Sequence, residues 1–594
     1  MQARLGADDL ERILDRHGRD PHVLLQVLRD VQALLGCVPA EAIESVAEAL
    51  AVPRHHVRGV VEFYSFLSEG PPTAFRVYLS DSITDRMLGS EAVAATLCGA
   101  LGVRLGETRA DRRVKVELTS CTGLCDQGPA ALVNGRAIGR LDAARAEAIA
   151  ARIEADEPLE RWPAEWFEVR NEVHRKDAAL ASPLAPGEAL ARALALGPEA
   201  ILEEVRVSGL GGRGGAGFDT YAKWKGCREA EGLHHVTCNA DEGEPGTFKD
   251  RFLLMERADE VLEGMTIAAL VVGAEHGLVY LRAEYEFLVP HLEEVLARRR
   301  AAGLLGKDLL GSGRAFDVLI HLGAGAYVCG EESAMLESFE GKRGIPRSRP
   351  PYPVRVGFLG QPTANNNVET FLHAAQIALR GGAWFAARGT HRSPGTKVLS
   401  ISGDVPRPGI YEFPFGVTVR EVLDAIGASR VLAVQVGGPS GTLASERDFD
   451  RVIGYEDLPT GGSFMVFDET RDPLAIVRNF ARFFAHESCG FCTPCRVGTT
   501  LLARDLDRLA AGKLSARELA DAEAMAHVIK RTSHCGLGQT APNPFLDALD
   551  RFRPLYEAKL AKEFVPLFDL EKELEEARSL RHVCLVPTGG RTPP

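Results

Sequence analysis

The stretch that decides the fold reads SGLGGRGGAGFDTYAKWK, at residues 208–225. Its glycines match the spacing G-x-G-x-x-G, which in a Rossmann domain directly follows a β-strand. Here the preceding segment, PEAILEEVRVSGL at 198–210, has a helical pattern, so we do not expect a Rossmann domain. Backbone without side chains still lets N–H groups approach an anion, and Arg213 and Lys223 add positive charge. The stretch therefore predicts a phosphate-binding loop outside the Rossmann class.

A second segment, CNADEGEPGTFKDR at 238–251, follows a short β-type run and concentrates acidic residues. Asp241, Glu242 and Glu244 lie close together beside two glycines and a proline. Like charges packed this closely repel one another, and a fold normally separates them. A polar ligand with several hydrogen-bond donors explains the cluster, because carboxylates accept those bonds. A solvated turn is the alternative.

Two more segments belong to the same part of the chain. GAGAYVCGEES at 323–333 leads into a helical pattern that opens with Glu331 and Glu332. Acids in a first helical turn are common for dipole reasons alone, so this segment does not by itself establish a ligand site. NNNVET at 365–370 offers side-chain amides, with turn formation as the alternative.

The C-terminal part carries a cysteine motif, ESCGFCTPCR at 487–496. The spacing of Cys489, Cys492 and Cys495 lets three thiolates of one loop reach three corners of an iron–sulfur cube. The predicted fourth ligand is Cys535, where neighbouring glycines permit a tight approach. A structural zinc site is the alternative, but zinc sites usually show two separated cysteine pairs. The motif therefore favours one [4Fe–4S] cluster.

The composition is that of a large globular protein. The chain has 594 residues, enough for several domains, and its formal net charge of −13 argues against a nucleic-acid-binding protein. The most apolar run, Met265 to Gly273, is far shorter than the roughly 20 residues of a membrane-spanning helix. The charged N-terminus is not expected to be a secretory signal, so we expect a cytoplasmic protein. Its twelve cysteines are then metal ligands or buried residues, because cytoplasmic thiols stay reduced.

Hydrophobic patterns divide the chain into helical and α/β regions without an internal repeat. We predict an N-terminal helical region at 1–72, a small α/β unit at 73–154, a linker at 155–190, a large α/β region at 191–392, a compact β-rich unit at 393–474, a helical region at 475–560 and a C-terminal tail at 561–594. The glycine-rich segments fall in the large α/β region, and the cysteine motif falls in the second helical region.

Several motifs together resemble one family: GRGGAGF, CNADEGEPGTFKDR, AYVCGEES, EGKRGIPR, NNNVET and ESCGFCTPCR with the later Cys535. They are similar to the 51-kDa-type NADH-binding flavoprotein subunit of respiratory complex I, from about residue 195 to 550. The N-terminal 150 residues resemble the 24-kDa-type thioredoxin-like subunit of the same complexes. Fusion of the two resembles the diaphorase (alpha) subunits of soluble NAD-reducing [NiFe] hydrogenases. The resemblance implies a multidomain α/β protein with thioredoxin-like, FMN/NADH-binding, β-grasp and helical [4Fe–4S] domains, in that order.

The resemblance also implies site residues, carried over by motif position. For FMN they are Gly212, Arg213, Gly214, Lys223, Asn239, Asp241, Glu242, Tyr327, Asn366, Asn367 and Thr370. For the dinucleotide stacked on the flavin they are Phe218, Glu244, Glu331 and Glu332, and Gly330 and Arg349 complete the cofactor-binding set. Glu244 and Glu332 are expected to orient the substrate. Gly211, Gly226 and Arg349 depart from residues common in the family, so the adenine end follows the family pattern less closely.

The implied function follows from electron counting. NADH gives two electrons together as a hydride, whereas an iron–sulfur cluster takes one at a time, and FMN links the two. We therefore expect an enzyme that passes electrons between NAD(H), FMN and a [4Fe–4S] cluster, with an iron–sulfur relay subunit and [NiFe] hydrogenase subunits as partners. The alternatives are the NAD-linked subunit of a formate dehydrogenase or of complex I, and a non-catalytic iron–sulfur relay module without flavin.

The N-terminal domain is expected to lack a cluster. Related thioredoxin-like subunits hold a [2Fe–2S] cluster with two cysteine pairs, and the later pair is present here as Cys121 and Cys125. At the positions of the earlier pair stand Ser80 and Asp85. A serine hydroxyl must lose a proton to bind iron, and a carboxylate is a harder ligand than a thiolate. We therefore expect a structural role for this domain.

Overall fold

The computed structural model describes residues 5–562, together with residues 565, 574 and 575. The N-terminal region is helical as expected, with α1 at Ala7–His17, α2 at Leu24–Leu35, α3 at Ala40–Ala49 and α4 at Arg54–Phe63. Apolar residues recur every three or four positions, so each helix buries one side. That side packs on residues 324–339 of the large α/β region. The predicted tail at 561–594 lies outside the described residues except for 561, 562, 565, 574 and 575.

The small α/β unit is built on a four-stranded sheet. Its elements are β1 at Phe75–Ser80, α5 at Ile83–Met87, α6 at Ser90–Leu101, β2 at Val114–Thr119, β3 at Ala131–Val133, β4 at Arg136–Ile138 and α7 at Ala143–Glu154. The strand order is β2-β1-β3-β4, with β1 parallel to β2 and antiparallel to β3. Helices α6 and α7 cover the sheet with apolar side chains. This is the mixed sheet expected of a thioredoxin-like domain.

The segment predicted as a linker, 155–190, is instead packed into the protein. Its strand β5, Val173–Arg175, pairs with the β-rich unit. The fully buried carboxylate of Glu412 accepts hydrogen bonds from the backbone N–H groups of Asp177, Ala179 and Leu180, at 2.7–2.8 Å. Charge and proline content suggested a linker, but this contact with a distant strand orders the segment.

The large α/β region contains an all-parallel four-stranded sheet with the order β8-β7-β6-β9. Its elements are α8 at Glu188–Leu196, α9 at Pro198–Ser208, α10 at Thr220–Arg228, β6 at His235–Ala240, α11 at Lys249–Glu256, α12 at Ala258–Val272, β7 at His276–Leu281, α13 at Val289–Ala301, β8 at Asp317–Leu322, α14 at Glu332–Phe339, β9 at Thr363–Asn367, α15 at Val368–Arg380 and α16 at Gly382–Ala386. The glycine loop follows helix α9 and precedes α10, so the prediction that it is not a Rossmann turn is confirmed.

The core of this region is centred on helix α12, which packs against α15. The two helices approach so closely that a Cβ atom on Gly264 would lie 1.9 Å from the carbonyl oxygen of Phe371. Only glycine fits at this crossing. The close packing fixes α15, and with it the end of strand β9 that precedes the helix.

The β-rich unit is a six-stranded mixed sheet with one helix. Its elements are β10 at Thr396–Gly403, β11 at Gly409–Pro414, α17 at Val419–Ile426, β12 at Val431–Val436, β13 at Thr442–Ser445 and β14 at Ser463–Asp468. The order is β13-β12-β14-β10-β11-β5, and β10 runs parallel to its neighbour β14. Apolar residues of α17 pack on the sheet, as expected of a β-grasp domain.

The last region is a helical bundle, with α18 at Pro473–Glu487, α19 at Thr493–Ala510, α20 at Ala516–Thr532, α21 at Gly536–Thr540 and α22 at Asn543–Glu557. Helix α18 begins two residues before the predicted boundary at 475, because Asp472 caps it and Pro473 occupies its first turn. Within the residues that the structure describes, no helix has the length and apolarity needed to cross a membrane.

Candidate functional site

A cavity opens where the strand order of the parallel sheet changes direction. Strands β6 and β9 are neighbours in the sheet but distant in sequence, and parallel sheets bind ligands at the carboxyl ends of such a pair. The cavity has a volume of about 450 Å³. Nine of the predicted residues line it: Gly214, Asn239, Asp241, Glu242, Glu244, Tyr327, Gly330, Glu331 and Asn367. The other predicted residues of this site do not line the cavity itself: Gly212, Arg213, Phe218, Lys223, Glu332, Arg349, Asn366 and Thr370.

The side chain of Arg213 points away from the cavity, contrary to the expectation that it adds charge to the glycine loop. It is fully buried, and its guanidinium donates hydrogen bonds to the carbonyl oxygens of Gly211 and Pro394 and to the hydroxyl of Tyr455, at 3.0, 2.7 and 3.1 Å. Its backbone N–H donates to Oγ1 of Thr370 at 2.9 Å. Arg213 therefore joins the glycine loop to the β-grasp domain.

The acids of the second segment follow strand β6 and differ in their surroundings. Oδ2 of Asp241 is buried and has no hydrogen-bond partner among the described residues, and burial raises the pKa of this carboxyl well above its usual range. Glu242 accepts hydrogen bonds from the backbone N–H groups of Asp250 and Arg251, at 2.8 and 3.1 Å. Burial, together with the charge of Asp250, raises the pKa of Glu242 to about 7.

Glu244 is held by groups from two other parts of the chain. Its carboxylate accepts hydrogen bonds from the hydroxyl of Tyr327 at 2.5 Å and from the backbone N–H and hydroxyl of Ser440 at 2.7 and 2.9 Å. Burial raises its pKa, and these hydrogen bonds lower it. The carboxylate therefore has a fixed position on the cavity wall.

Sequence reasoning missed a buried lysine at the base of the cavity. Nζ of Lys249 donates to Oδ1 of Asp250 at 2.6 Å and to Oδ1 of Asn367 at 3.1 Å, and it lies 3.2 Å from the carboxylate of Glu369. Burial opposes its charge, but these carboxylates raise the pKa of Lys249 above its ordinary value. The available signal was its place in the quoted motif, two residues after Thr247, which also lines the cavity.

Behind this lysine lies a second one, Lys397 of strand β10. Its Nζ contacts the carboxylate of Glu369 and the carbonyl oxygen of Arg213. Burial lowers the pKa of Lys397 to about 7. Glu369 thus lies between two buried lysines, and it ties strand β10 to helix α15.

At the side of the cavity, charged residues pair with one another. Nζ of Lys223 donates to Oε2 of Glu332 at 3.0 Å, and the guanidinium of Arg349 lies 3.2 Å from Glu331 and 3.5 Å from Glu332. Glu331 also caps helix α14. The ring of Phe218 is 59% exposed, an unusual position for a large apolar side chain and available for stacking.

Two more predicted residues hold the wall from behind. Oδ1 of Asn366 accepts a hydrogen bond from the indole N–H of Trp224 at 2.8 Å, and Asn239 donates to the carbonyl oxygen of Gly330 at 2.8 Å. The β-grasp domain adds Gly437, Ser440 and Gly441 to the cavity wall. No local pattern marked those three positions, because they reach the site only through the packing of two domains.

The four predicted metal ligands lie at the ends of helices and belong to one cluster of packed residues. Cys489 and Cys492 are half-buried between α18 and α19, Cys495 is buried in the first turn of α19, and Cys535 directly precedes α21. Burial first, and then the neighbouring cysteines, raise the pKa of Cys495 to about 11. Within the described chain, no three candidate ligands are close enough to share a single metal ion.

In the N-terminal domain, the positions of the earlier cysteine pair are occupied by a polar network. Ser80 Oγ donates to the buried carboxyl of Asp85 at 2.5 Å, and burial raises the pKa of Asp85 to about 6. The sulfur atoms of Cys121 and Cys125 lie 3.3 Å apart, and both side chains are buried.

Comparison with known proteins gives three family matches. The Nuo51 FMN-binding domain matches residues 205–376, the thioredoxin-like [2Fe-2S] ferredoxin matches residues 10–154, and the NADH-ubiquinone oxidoreductase-F iron-sulfur binding region matches residues 475–559. The chain is 41% identical over 585 residues to the NAD-reducing hydrogenase HoxS subunit alpha of Cupriavidus necator, covering 95% of this chain and 96% of that one. The chain belongs to the family of NAD-reducing hydrogenase alpha subunits.

Other relatives agree with this family over shorter lengths or in three dimensions. The NADP-reducing hydrogenase subunit HndC of Solidesulfovibrio fructosivorans is 41% identical, covering 64% of this chain and 80% of its own. A crystal structure of an NAD⁺-reducing [NiFe]-hydrogenase in the H₂-reduced state contains a chain with a TM-score of 0.90 and 43% identity, covering 97% of this chain and 100% of that one. The predicted fold class is confirmed, and so is a flavoprotein oxidoreductase with FMN and a [4Fe–4S] cluster.

The residues present fit these cofactors. The glycine loop and Gly461 of the β-grasp domain together line the cavity without side chains, and a Cβ atom on Gly461 would lie 3.2 Å from the carbonyl oxygen of Gly214. Oδ2 of Asp241, which has no hydrogen-bond partner in the described part of the chain, is available to a polar ligand. Four thiols in two loops match the ligand number and type of a cubane cluster. In an alpha subunit of this family, both cofactors therefore have suitable ligands.

Proposed function

We propose that this chain passes electrons between NAD(H) and a [4Fe–4S] cluster by way of FMN, as the diaphorase subunit of an NAD-reducing [NiFe] hydrogenase. One observation carries the proposal. Gly536 and Leu537, directly after the cluster ligand Cys535, line the same cavity as Glu244 of the flavin-side wall. A flavin in this cavity is therefore next to the cluster, as one-electron transfer requires. A relay module without flavin would have no use for such a cavity.

Bound FMN supplies the chemistry, because it exchanges a hydride with the dinucleotide and single electrons with the cluster. The chain binds FMN and the dinucleotide, orients them and excludes water from the cavity. The glycine loop carries the phosphate, and Asn367 and Lys249 face the cavity from the ends of β9 and α11. Glu244, fixed by Tyr327 and Ser440, accepts hydrogen bonds from the substrate and holds it against the flavin. No side-chain nucleophile takes part.

The hydrogenase assignment rests on the share of this chain that each relative matches. A relative of the complex I type, an NADH-quinone oxidoreductase component of Rhizobium meliloti, is 40% identical but covers only 62% of this chain, whereas the hydrogenase alpha subunit covers 95%. The N-terminal domain accounts for much of the difference. Partners are then an iron–sulfur relay subunit and [NiFe] hydrogenase subunits, and the compartment is the cytoplasm, where the free cysteines stay reduced.

The flavin proposal is tested by reconstitution. Removal of the flavin is expected to abolish dye reduction by NADH, FMN to restore it, and FAD to leave the activity low. Iron content and the cluster spectrum are followed in the same samples, so that loss of the cluster is not mistaken for loss of flavin. Full NADH–dye activity in flavin-free protein would contradict the proposal.

We also propose a preference for NAD(H) over NADP(H). Glu331 and Glu332 repel a 2′-phosphate, although Arg349 and Lys223 neutralise part of their charge. The test compares kcat/KM for the two substrates in the wild type and in Glu332→Gln. We expect the ratio of kcat/KM for NAD(H) to kcat/KM for NADP(H) to be smaller in the variant than in the wild type. Equal kcat/KM values for the two substrates in the wild type would contradict the preference.

We propose that the N-terminal domain holds no iron–sulfur cluster. Ser80 and Asp85 form a hydrogen bond with each other at the positions where two thiolates would be needed. The anaerobically purified chain is expected to contain about four irons and only a [4Fe–4S] signal by EPR. A [2Fe–2S] signal that disappears in Cys121→Ala would overturn this.

A further inference from the structure

The loop that carries Cys121 and Cys125 contacts three residues that hold Glu242, an acid of the cavity wall. This loop, residues 120–126, reads SCTGLCD and belongs to the thioredoxin-like domain. Its residues are buried except at the ends, and its neighbours include Arg251, Arg282 and Tyr285 of the large α/β region. The loop thus packs against residues that support the cavity wall.

The first link runs from Asp126 through Arg251. The two oxygens of Asp126 accept hydrogen bonds from the guanidinium of Arg251 at 3.0 and 2.9 Å, a two-pronged pair in which both side chains are almost completely buried. The same guanidinium donates to the carbonyl oxygen of Gly123 at 2.7 Å. The backbone N–H of Arg251 donates to Oε2 of Glu242, which lines the cavity. Asp126 is therefore connected to the cavity wall through a single intervening residue, Arg251.

The second link runs through Arg282 and Tyr285. Arg282 donates to the carbonyl oxygen of Cys121 at 2.8 Å and also to the carbonyl oxygen of Glu242. The hydroxyl of Tyr285 donates to Oε2 of Glu242 at 2.9 Å. Tyr285 packs directly on the loop, since a Cβ atom on Gly123 would lie 2.3 Å from its hydroxyl oxygen. Both the side chain and the carbonyl group of Glu242 thus depend on residues that contact the loop.

A third link reaches the cluster side. The hydroxyl of Ser120 donates to Glu487, two residues before the cluster ligand Cys489. The other oxygen of Glu487 accepts a hydrogen bond from the backbone N–H of Tyr327 at 3.0 Å. Tyr327 lines the cavity and holds Glu244. The loop therefore contacts the segment that leads to the cluster directly, and it reaches Glu242 through Arg251, Arg282 and Tyr285.

We propose that Asp126 is a positioning residue for the flavin cavity, acting through Arg251 on Glu242. The proposal rests on the function proposed above. Asp126 touches neither cofactor nor substrate, but a buried bidentate pair fixes the guanidinium in direction as well as distance. Loss of the carboxylate leaves the arginine charge buried without its partner, and the helix start that carries Arg251 must adjust. Glu242 then shifts on the cavity wall, because the backbone N–H of Arg251 donates a hydrogen bond to its carboxylate.

The test uses the complete chain and compares Asp126→Asn with a matched control, Asp111→Asn. Asp111 forms a similar two-pronged pair with Arg109 in the same domain, at 2.9 and 2.8 Å, but on the surface. The readouts are the FMN dissociation constant of reconstituted protein, the flavin midpoint potential and the melting temperature. We expect Asp126→Asn to weaken FMN binding about 3- to 30-fold, the range for residues that act through one neighbour, and to shift the potential. Asp111→Asn is expected to change neither.

Further variants separate positioning from folding. Asp126→Glu keeps the charge and is expected to recover part of the FMN affinity. Arg251→Lys keeps a buried ion pair but loses the two-pronged geometry, and it should weaken FMN binding in the same direction even where Asp126→Asn does not accumulate as folded protein. Unchanged FMN affinity and potential in folded Asp126→Asn, or in Arg251→Lys, would overturn the proposal. Wild-type protein that binds no FMN would instead overturn the proposed function.

Discussion

Gly438 provides a way to move Glu244 without changing any charge. This glycine lies in the turn between β12 and β13 with a φ of +68°, and a Cβ atom there would lie 2.4 Å from Cγ and 2.6 Å from Oε1 of Glu244. Substitution Gly438→Ala therefore pushes directly on the carboxylate that we assign to substrate orientation. The hydrogen bonds that fix it, from Tyr327 at 2.5 Å and Ser440 at 2.7 and 2.9 Å, must lengthen or break.

The size of the effect follows from the overlap. Carbon atoms in contact are normally about 3.5–4.0 Å apart, so Glu244 must move by roughly 1 Å or more. A misplacement of about 1 Å in a substrate-positioning group costs up to about 100-fold in rate. The left-handed backbone adds about 1–2 kcal/mol of strain when a side chain is introduced, and this must be separated from the effect on Glu244.

Gly427 gives the matched control. It lies in the same domain at the end of α17 with a φ of +71°, and among the described residues a Cβ atom there would meet nothing within 4 Å. Gly427→Ala shares the backbone strain but not the contact with Glu244. In FMN-loaded protein, kcat/KM for NADH–dye reduction is expected to fall about 100-fold in Gly438→Ala and to stay within about twofold in Gly427→Ala. Equal kcat/KM values in both folded variants would refute the role of Glu244.

Three other outcomes are expected. Burial raises the pKa of Glu242 to about 7 from 4.5, so the stability due to its bound proton is complete below pH 4.5 and is lost as the pH rises through 7. The melting temperature of the wild type should therefore fall more between pH 6 and 8 than that of Glu242→Gln, and identical profiles would contradict the assignment. Cys535→Ala should lose about four irons per chain by iron analysis, whereas Cys227→Ala, at a buried cysteine outside the cluster, should retain them. Glu369→Gln leaves two buried lysines without their shared carboxylate and should lower stability by about 3–5 kcal/mol, seen as a lower urea midpoint, while Glu421→Gln at an exposed capping position should cost about 1 kcal/mol.

Local patterns sufficed for much of the architecture. The small α/β unit predicted at 73–154 contains four strands and three helices, and the glycine loop follows a helix as its preceding sequence required. Cys489, Cys492, Cys495 and Cys535 lie in one packed cluster, and their role as iron ligands stays a prediction. For the α/β unit and the glycine loop the signal lies within a short window, where the hydrophobic period is read directly.

Contacts between distant segments escaped the same reasoning. The guanidinium of Arg213 turns to the β-grasp domain, Lys249 is held at the base of the cavity by two carboxylates and one amide, and Ser440 enters the site from another domain. The segment 155–190 is ordered by Glu412, more than 200 residues later. Composition carries no information about such partners, because charge and glycine content are the same whether a residue faces solvent or a distant strand.

The direction of Arg213 explains how a site built from separate domains keeps its geometry. Its guanidinium is fully buried between the glycine loop and Pro394, and it lies 4.7 Å above the ring of Phe415. Lys397 reaches back from the β-grasp strand β10 to the carbonyl oxygen of the same Arg213 and to Glu369. Charges buried in this way are stable only when both domains are in place, since separation would leave them unpaired. These contacts hold the FMN-binding and β-grasp domains together. They thereby keep Ser440 of the β-grasp domain in hydrogen-bonding contact with Glu244.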